Sequence, residues 1–395
     1  MMQQGLQYGV DVFLQTGRTN RQLRMAMVTN NAAITCNGEL SRAALLKEGF
    51  RLIKLFSPEH GITVTGDDGT PQQNRVDAVT GLPVISLYNN KLAPTEEDLH
   101  DVDAILFDIP DVGCRFYTYL WTMTHVMEAC AQYNKPFIVL DRPNPIGALI
   151  EKAEGPFLDE AHCSSFIGRW NIPLKYSCTL GELALYFAAT RLPSLNIEVI
   201  NVQNYERAQT AAHHFLFTPP SPAIQTVETA LLYPGTGLLE GLNVNEGRGT
   251  HFPFQQLGAP WMQEEELANT LQQKLRHVQV TPVQYTPAWG LYAQELCKGV
   301  RLHIQDAFEL MAVQTGLQVL QTVLQLYPNH VQERLYKTNA NPSGKQHLDF
   351  LLGIPNAFDQ IKKGEPVATG AAQEWRRQIK PYLLYCYAQL YWGAP

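Results

Sequence analysis

Short apolar runs recur through the first half of the chain, at residues 25–28, 52–56, 84–87, 104–107 and 137–140. They are spaced roughly 20 to 30 residues apart, the rhythm of βαβ units, and predict a parallel sheet covered by helices on both faces. Between them, residues 41–48 and 119–133 have helix composition, and the second segment places Leu120, Met123, Met127 and Cys130 on one face. Such a stripe reads as core. Thr179 followed by Glu182 has capping-box spacing and opens a further helix over 180–190, with a strand at 197–202 behind it. The run Thr218-Pro219-Pro220-Ser221-Pro222 continues neither a helix nor a central strand, so it reads as a linker or a long crossing loop. Beyond it, strands are expected at 278–285 and 300–304, helices at 264–275, 307–327 and 373–390, and an exposed loop at 337–345. The fold class is therefore α/β: a Rossmann-like parallel-sheet domain over 1–210, then a smaller α/β domain over 211–395.

Composition narrows the function. A chain of 395 residues with 45% hydrophobic and 17% charged positions is globular and long enough for two or three domains. Its net charge is −7 and its 30 Lys and Arg are scattered, so a nucleic-acid partner is not expected. The apolar runs are strand length, far short of the ~20 residues that span a bilayer. Met1 to Val10 carries neither a basic nor an apolar leader segment, which points to the cytoplasm, or to the periplasm or exterior if a signal peptide has been removed. Seven cysteines, an odd number with no C-x-x-C pair, suit a reducing compartment and argue against a zinc site. Oligomeric state is left open.

In an open parallel sheet, ligands bind beyond the carboxyl ends of the strands. The residues there are unusually polar: Thr29 and Asn30 after the first run, Ser57-Pro58-Glu59-His60-Gly61 after the second, Asp108-Ile109-Pro110-Asp111-Val112-Gly113 after the fourth, and Asp141-Arg142-Pro143-Asn144-Pro145 after the fifth. Asp101, Asp103 and Asp108 read as turn formers or caps. Glu59 does not, because Glu serves poorly in either role. His60 stands alone, with no metal-ligand spacing, so no metal is expected. No G-x-G-x-x-G follows the first strand and no phosphate-loop motif occurs, so no nucleotide cofactor is expected either. A second polar cluster, Tyr233 to Thr250, is so rich in glycine that irregular backbone is expected. Gly247 and Gly249 beside Glu246 and Arg248 would permit close approach of a ligand.

Two carboxyl groups at a cleft are what glycosidic cleavage requires, one protonating the leaving oxygen and the other acting as nucleophile or activating water. Glu59 with Glu246 or Asp111 supplies such a pair, and His60 would orient Glu59 or the substrate. Arg115, Arg142 and Arg248 offer planar forks for a substrate carboxylate. Tyr117 and Tyr119 offer ring faces to a sugar, one of them being expected in the core. Asn30, Asn144 and Asn243 complete the candidate substrate-binding set.

These motifs, in this order, resemble the exo-β-N-acetylmuramidases of the NamZ (YbbC-like) type, a bacterial family formerly known only as a domain of unknown function. The resemblance extends over nearly the whole chain. It rests on Phe56-Ser57-Pro58-Glu59-His60-Gly61, the stretch Phe107 to Tyr119, Leu140-Asp141-Arg142-Pro143-Asn144-Pro145, Glu154-Gly155-Pro156, and Ala230 to Thr236 continuing through Glu240-Gly241 to Asn245-Glu246-Gly247-Arg248-Gly249-Thr250. It implies a cofactor-independent glycosidase, with an active cleft between two domains, that releases non-reducing terminal N-acetylmuramic acid from peptidoglycan-derived saccharides. The alternative is a non-catalytic muropeptide or sugar-acid binding protein using the same cleft. A nicotinamide-assisted enzyme ranks below both, for want of the glycine fingerprint.

Overall fold

The computed structural model describes residues 5–67, 69–338 and 341–386, the side chains of 18–20 apart. Its strands are β1 (Met25–Thr29), β2 (Leu52–Ser57), β3 (Arg75–Val76), β4 (Pro83–Ser86), β5 (Ala104–Asp108), β6 (Phe137–Leu140), β7 (Glu154–Phe157), β8 (Pro173–Lys175), β9 (Ile197–Ile200), β10 (Gln256–Ala259), β11 (Val278–Tyr285) and β12 (Cys297–Ile304). Seven of them form one sheet in the order β3-β4-β2-β1-β5-β6-β9, parallel throughout except for the short antiparallel edge strand β3. The strand order reverses beside β1, which lies between β2 and β5, so the loops leaving β1, β2 and β5 open into one crevice.

The sheet is buried on both faces, and period-two alternation sends successive side chains to different cores. Met25 and Met27 join Val10, Phe13, Leu45 and Phe50 on one side. Ala26 and Val28 join the opposite core, which includes Leu120, Met123, Val126 and Met127 of the helix Tyr119–Gln132. That second core continues without interruption into the C-terminal region, where β10-β12-β11 form an antiparallel sheet covered by the helix Glu264–Lys274, against which the helix Ala312–Leu326 packs in turn. Glu154 of β7 ties the halves together. Fully buried, it pairs with Lys175 and accepts from the backbone N–H groups of Ala312, Val313 and Gln314 at 3.0, 3.0 and 3.2 Å, a carboxylate placed on the positive end of a helix.

Several expectations are corrected. The stretch opening at Tyr233 is irregular only in its second half, over 242–250: the helix Val227–Thr236 runs into its start and a 3₁₀ segment, Gly237–Gly241, follows. Gly235 serves packing there, since a Cβ on it would lie 1.9 Å from the Ala312 carbonyl oxygen, where the helices Val227–Thr236 and Ala312–Leu326 touch backbone to backbone. The helix expected from 307 starts at Ala312, because Asp306 Oδ1 instead accepts from the N–H groups of Phe308 and Glu309 in a turn. The helix expected over 373–390 ends at Ile379, just ahead of Pro381; its last four residues lie outside the described ones. Asp101 does lie in a turn, but Asp101, Asp103 and Asp108 also serve as ion-pair partners of Lys54, Arg24 and Arg142, and none of the three is a cap. The helix Gly9–Thr16, the β7–β8 hairpin and β10 were not foreseen.

Candidate active site

The loop after β2 turns back on itself through two residues in the left-handed region, His60 (φ 65°) and Gly61 (φ 70°). His60 contributes to this geometry, its Nδ1 lying 2.7 Å from the Gly66 carbonyl oxygen. The turn buries Glu59 to 4% exposure and fixes both carboxyl oxygens. Oε1 accepts from the Gly69 N–H at 2.8 Å and Oε2 from the Thr118 hydroxyl at 2.7 Å. Thr118 comes from the loop after β5, so two strand ends of the crevice meet at this carboxyl group. Tyr117, also from that loop, packs edge-on against Tyr119 and Tyr233, and burial pushes its phenol pKa up. The Tyr119 hydroxyl donates to the Pro220 carbonyl at 2.6 Å and is spent on structure.

Glu59, His60, Tyr117 and Thr118 form one wall of a cavity of about 510 Å³, and the C-terminal region forms the other. There Glu246, 1% exposed, is held between two guanidinium groups, Arg248 Nε at 3.2 Å from Oε1 and Arg334 Nη1 at 3.3 Å from Oε2. Arg248 also donates to Glu240 Oε1 from Nε and Nη2, at 3.1 and 2.7 Å, and stacks over Phe254. Arg334 lies over the ring of Tyr336, which stacks in turn on His347 with centroids 4.4 Å apart. Among the described lining residues, the carboxylates Glu59, Asp67, Glu240 and Glu246 thus share the cavity with the guanidiniums of Arg248 and Arg334. Opposite charges this close in a buried wall hold each other in fixed positions.

Of the candidate residues, Glu59, His60, Tyr117, Glu246 and Arg248 line this cavity. The others lie elsewhere. Arg115 is fully buried and donates to the carbonyls of Pro156, Ile172, Leu351 and Leu352. Arg142 is committed to Asp108, the Ile34 carbonyl and the Ser41 hydroxyl. Asn144 bridges the Cys178 carbonyl and the Ile146 N–H, and Asn243 the His330 carbonyl and the Gln332 N–H. Asn30 accepts from the Ala32 N–H. Asp111 faces a separate small recess that includes Pro110, Arg142 and Phe217. Its Oδ2 accepts from the Gly113 N–H and the Tyr176 hydroxyl, and burial raises its pKa to about 7.

Glu240, Arg334, Tyr336, His347, Ser221 and Trp289 line the cavity without having been expected there. They come from five separate segments with no shared spacing. Glu240 lies within the polar cluster from Tyr233 to Thr250 that the sequence marks, and Trp289 stands as an aromatic residue in the connection between β11 and β12; the others carried no local signal. Among the described residues, no group of three His, Cys, Asp or Glu side chains is placed to hold a metal ion, and no helix is long and apolar enough to cross a membrane.

A parallel-sheet α/β domain joined to a smaller α/β region, with carboxyl groups on facing walls of an aromatic-lined cavity, is an arrangement able to receive a small polar ligand such as a sugar. Residues 25–228 match the N-terminal domain, and residues 231–385 the C-terminal domain, of exo-β-N-acetylmuramidase NamZ. The chain belongs to this family of glycoside hydrolases. It is 39% identical over 388 residues to the peptidoglycan β-N-acetylmuramidase NamZ of Bacillus subtilis (strain 168), covering 96% of this chain and 91% of that protein. Two crystal structures of DUF1343 family proteins from Bacteroides fragilis share the fold. One has TM-score 0.84 and 30% identity, over 96% of this chain and 99% of that one. The other has TM-score 0.72 and 27% identity, over 97% of this chain and 100% of that one.

Proposed function

We propose that this chain removes N-acetylmuramic acid from the non-reducing end of peptidoglycan fragments and that the cavity between the two regions is its active site. The observation that carries the assignment is Glu59, a carboxyl group buried in the cavity wall with both oxygens held. Thr118 bears a hydroxyl, which both donates and accepts, so its bond to Oε2 survives whether Glu59 is protonated or ionised. That suits a general acid, which must give its proton to the leaving oxygen and regain it each cycle.

Glu246 supplies the second carboxylate, held from behind by Arg248 and Arg334. The same guanidiniums explain selectivity for a muramic acid. Arg334 keeps 20% of its side chain exposed and presents donors beyond the one used by Glu246. The lactyl carboxylate that distinguishes N-acetylmuramic acid from N-acetylglucosamine is an acceptor of matching charge.

The test is chromophore release from 4-nitrophenyl N-acetylmuramide, with the N-acetylglucosaminide as control, for the wild type and Glu59→Gln. The amide keeps the shape and removes the proton, so turnover of the muramide alone, reduced at least a hundredfold in the variant, is expected. Muramic acid bound equally by both proteins without any turnover would leave a sugar-binding protein instead.

A further inference from the structure

Trp289 is the outstanding residue of the cavity that the chemistry above leaves unused. It is 59% exposed although it lines the same cavity as Glu59 and Glu246, which are 4% and 1% exposed. That gradient runs from a buried catalytic floor to an aromatic ring at the rim. An indole left this open to water forgoes the burial that normally accompanies so large an apolar surface, and at the rim of a cavity it offers a flat apolar face to a ligand.

The ring's backbone is also fixed. The Ala288 N–H donates to the Gly249 carbonyl at 2.8 Å, and the Asn245 amide donates to the Leu291 carbonyl at 3.0 Å. Gly249 has φ 80°, and a Cβ there would lie 2.3 Å from the Trp289 carbonyl oxygen, so the two segments are in backbone contact. The turn bearing Trp289 is thereby bonded on both sides of the Glu246-Gly247-Arg248 segment. The backbone that carries Trp289 and the segment that carries Glu246 hold one register with respect to each other.

A glycosidase that takes the terminal sugar into a buried floor must lead the rest of the saccharide out past the rim. We propose that Trp289 is the stacking platform for the sugar on the leaving-group side of the scissile bond, a specificity-determining residue that sets preference for a saccharide aglycone. The apolar C–H face of a pyranose would lie on the indole, with its hydroxyls to solvent. This rests on the hydrolase reading above.

The experiment compares two substrates of the full chain, the disaccharide N-acetylmuramyl-β-1,4-N-acetylglucosamine and N-acetylmuramyl fluoride, whose leaving group offers nothing to stack. Trp289→Ala is expected to raise KM for the disaccharide about tenfold with kcat within about threefold, the loss of one stacked ring. Its effect on the fluoride is expected to be several times smaller, and Trp289→Phe is expected to restore most of the disaccharide KM. Equal losses on both substrates, or no loss on either, would overturn the platform while leaving the hydrolase reading intact. Failure of the wild type on both substrates would overturn the hydrolase reading and the platform with it.

Discussion

Asp111 provides a prediction whose size can be worked from the structure. One oxygen, Oδ2, takes both the Gly113 N–H and the Tyr176 hydroxyl, which favour the charge, but Oδ1 is buried with no hydrogen-bond partner, and burial outweighs the donors. Burial accordingly raises its pKa from 3.8 to about 7. From about pH 4 to 7 the unfolded chain has released this proton and the folded chain retains it. Stability therefore falls as pH rises through that window and levels off above it. Between pH 5 and 8 the folded chain loses two pH units' worth of this preference, at about 1.4 kcal/mol per unit, or ~3 kcal/mol. Asp111→Asn keeps the shape and an acceptor at the Oδ2 position but does not ionise. Urea unfolding of both proteins at pH 5 and pH 8 should show the wild type losing ~2–3 kcal/mol more than the variant across that interval. Asp141, also raised by burial, to about 6, acts in the same direction in both proteins and cancels from the difference. Parallel stability curves for wild type and variant would refute the reasoning.

Other consequences follow from the same geometry. Thr118→Val removes the hydroxyl at 2.7 Å from Glu59 while preserving side-chain shape. It should lower kcat on the muramide roughly ten- to a hundredfold, the worth of a hydrogen bond to a charged group, with KM changed little; an unchanged kcat would remove Thr118 from the acid's support. Arg115→Ala strips four buried carbonyls of their donor and should cost at least about 4 kcal/mol of stability. A well-folded Arg115→Ala protein with weakened substrate binding would show instead that the guanidinium serves the ligand.

The sequence alone determined the layered α/β organisation, because strands buried on both faces must be apolar runs and each must be followed by a chain reversal. The runs at 25–28, 52–56, 104–107 and 137–140 became β1, β2, β5 and β6 with boundaries shifted by at most one residue. It also marked Glu59, since a glutamate directly behind a strand has little structural work to do, and the motif order identified the family. What the sequence could not assign was the direction in which a charged side chain points. Arg115, Arg142 and Arg248 stand in equally polar motifs, yet the first two are absorbed by carbonyls and by Asp108, and Arg248 reaches the cavity. Arg334, Tyr336 and Trp289 join Glu246 from segments 43 to 90 residues further along, brought together by packing of the C-terminal sheet and helices. Local pattern follows from backbone periodicity and solvent exclusion, which act within a few residues of chain. The constellation around a ligand is a property of long-range contacts, and these exist only once the two regions share one core.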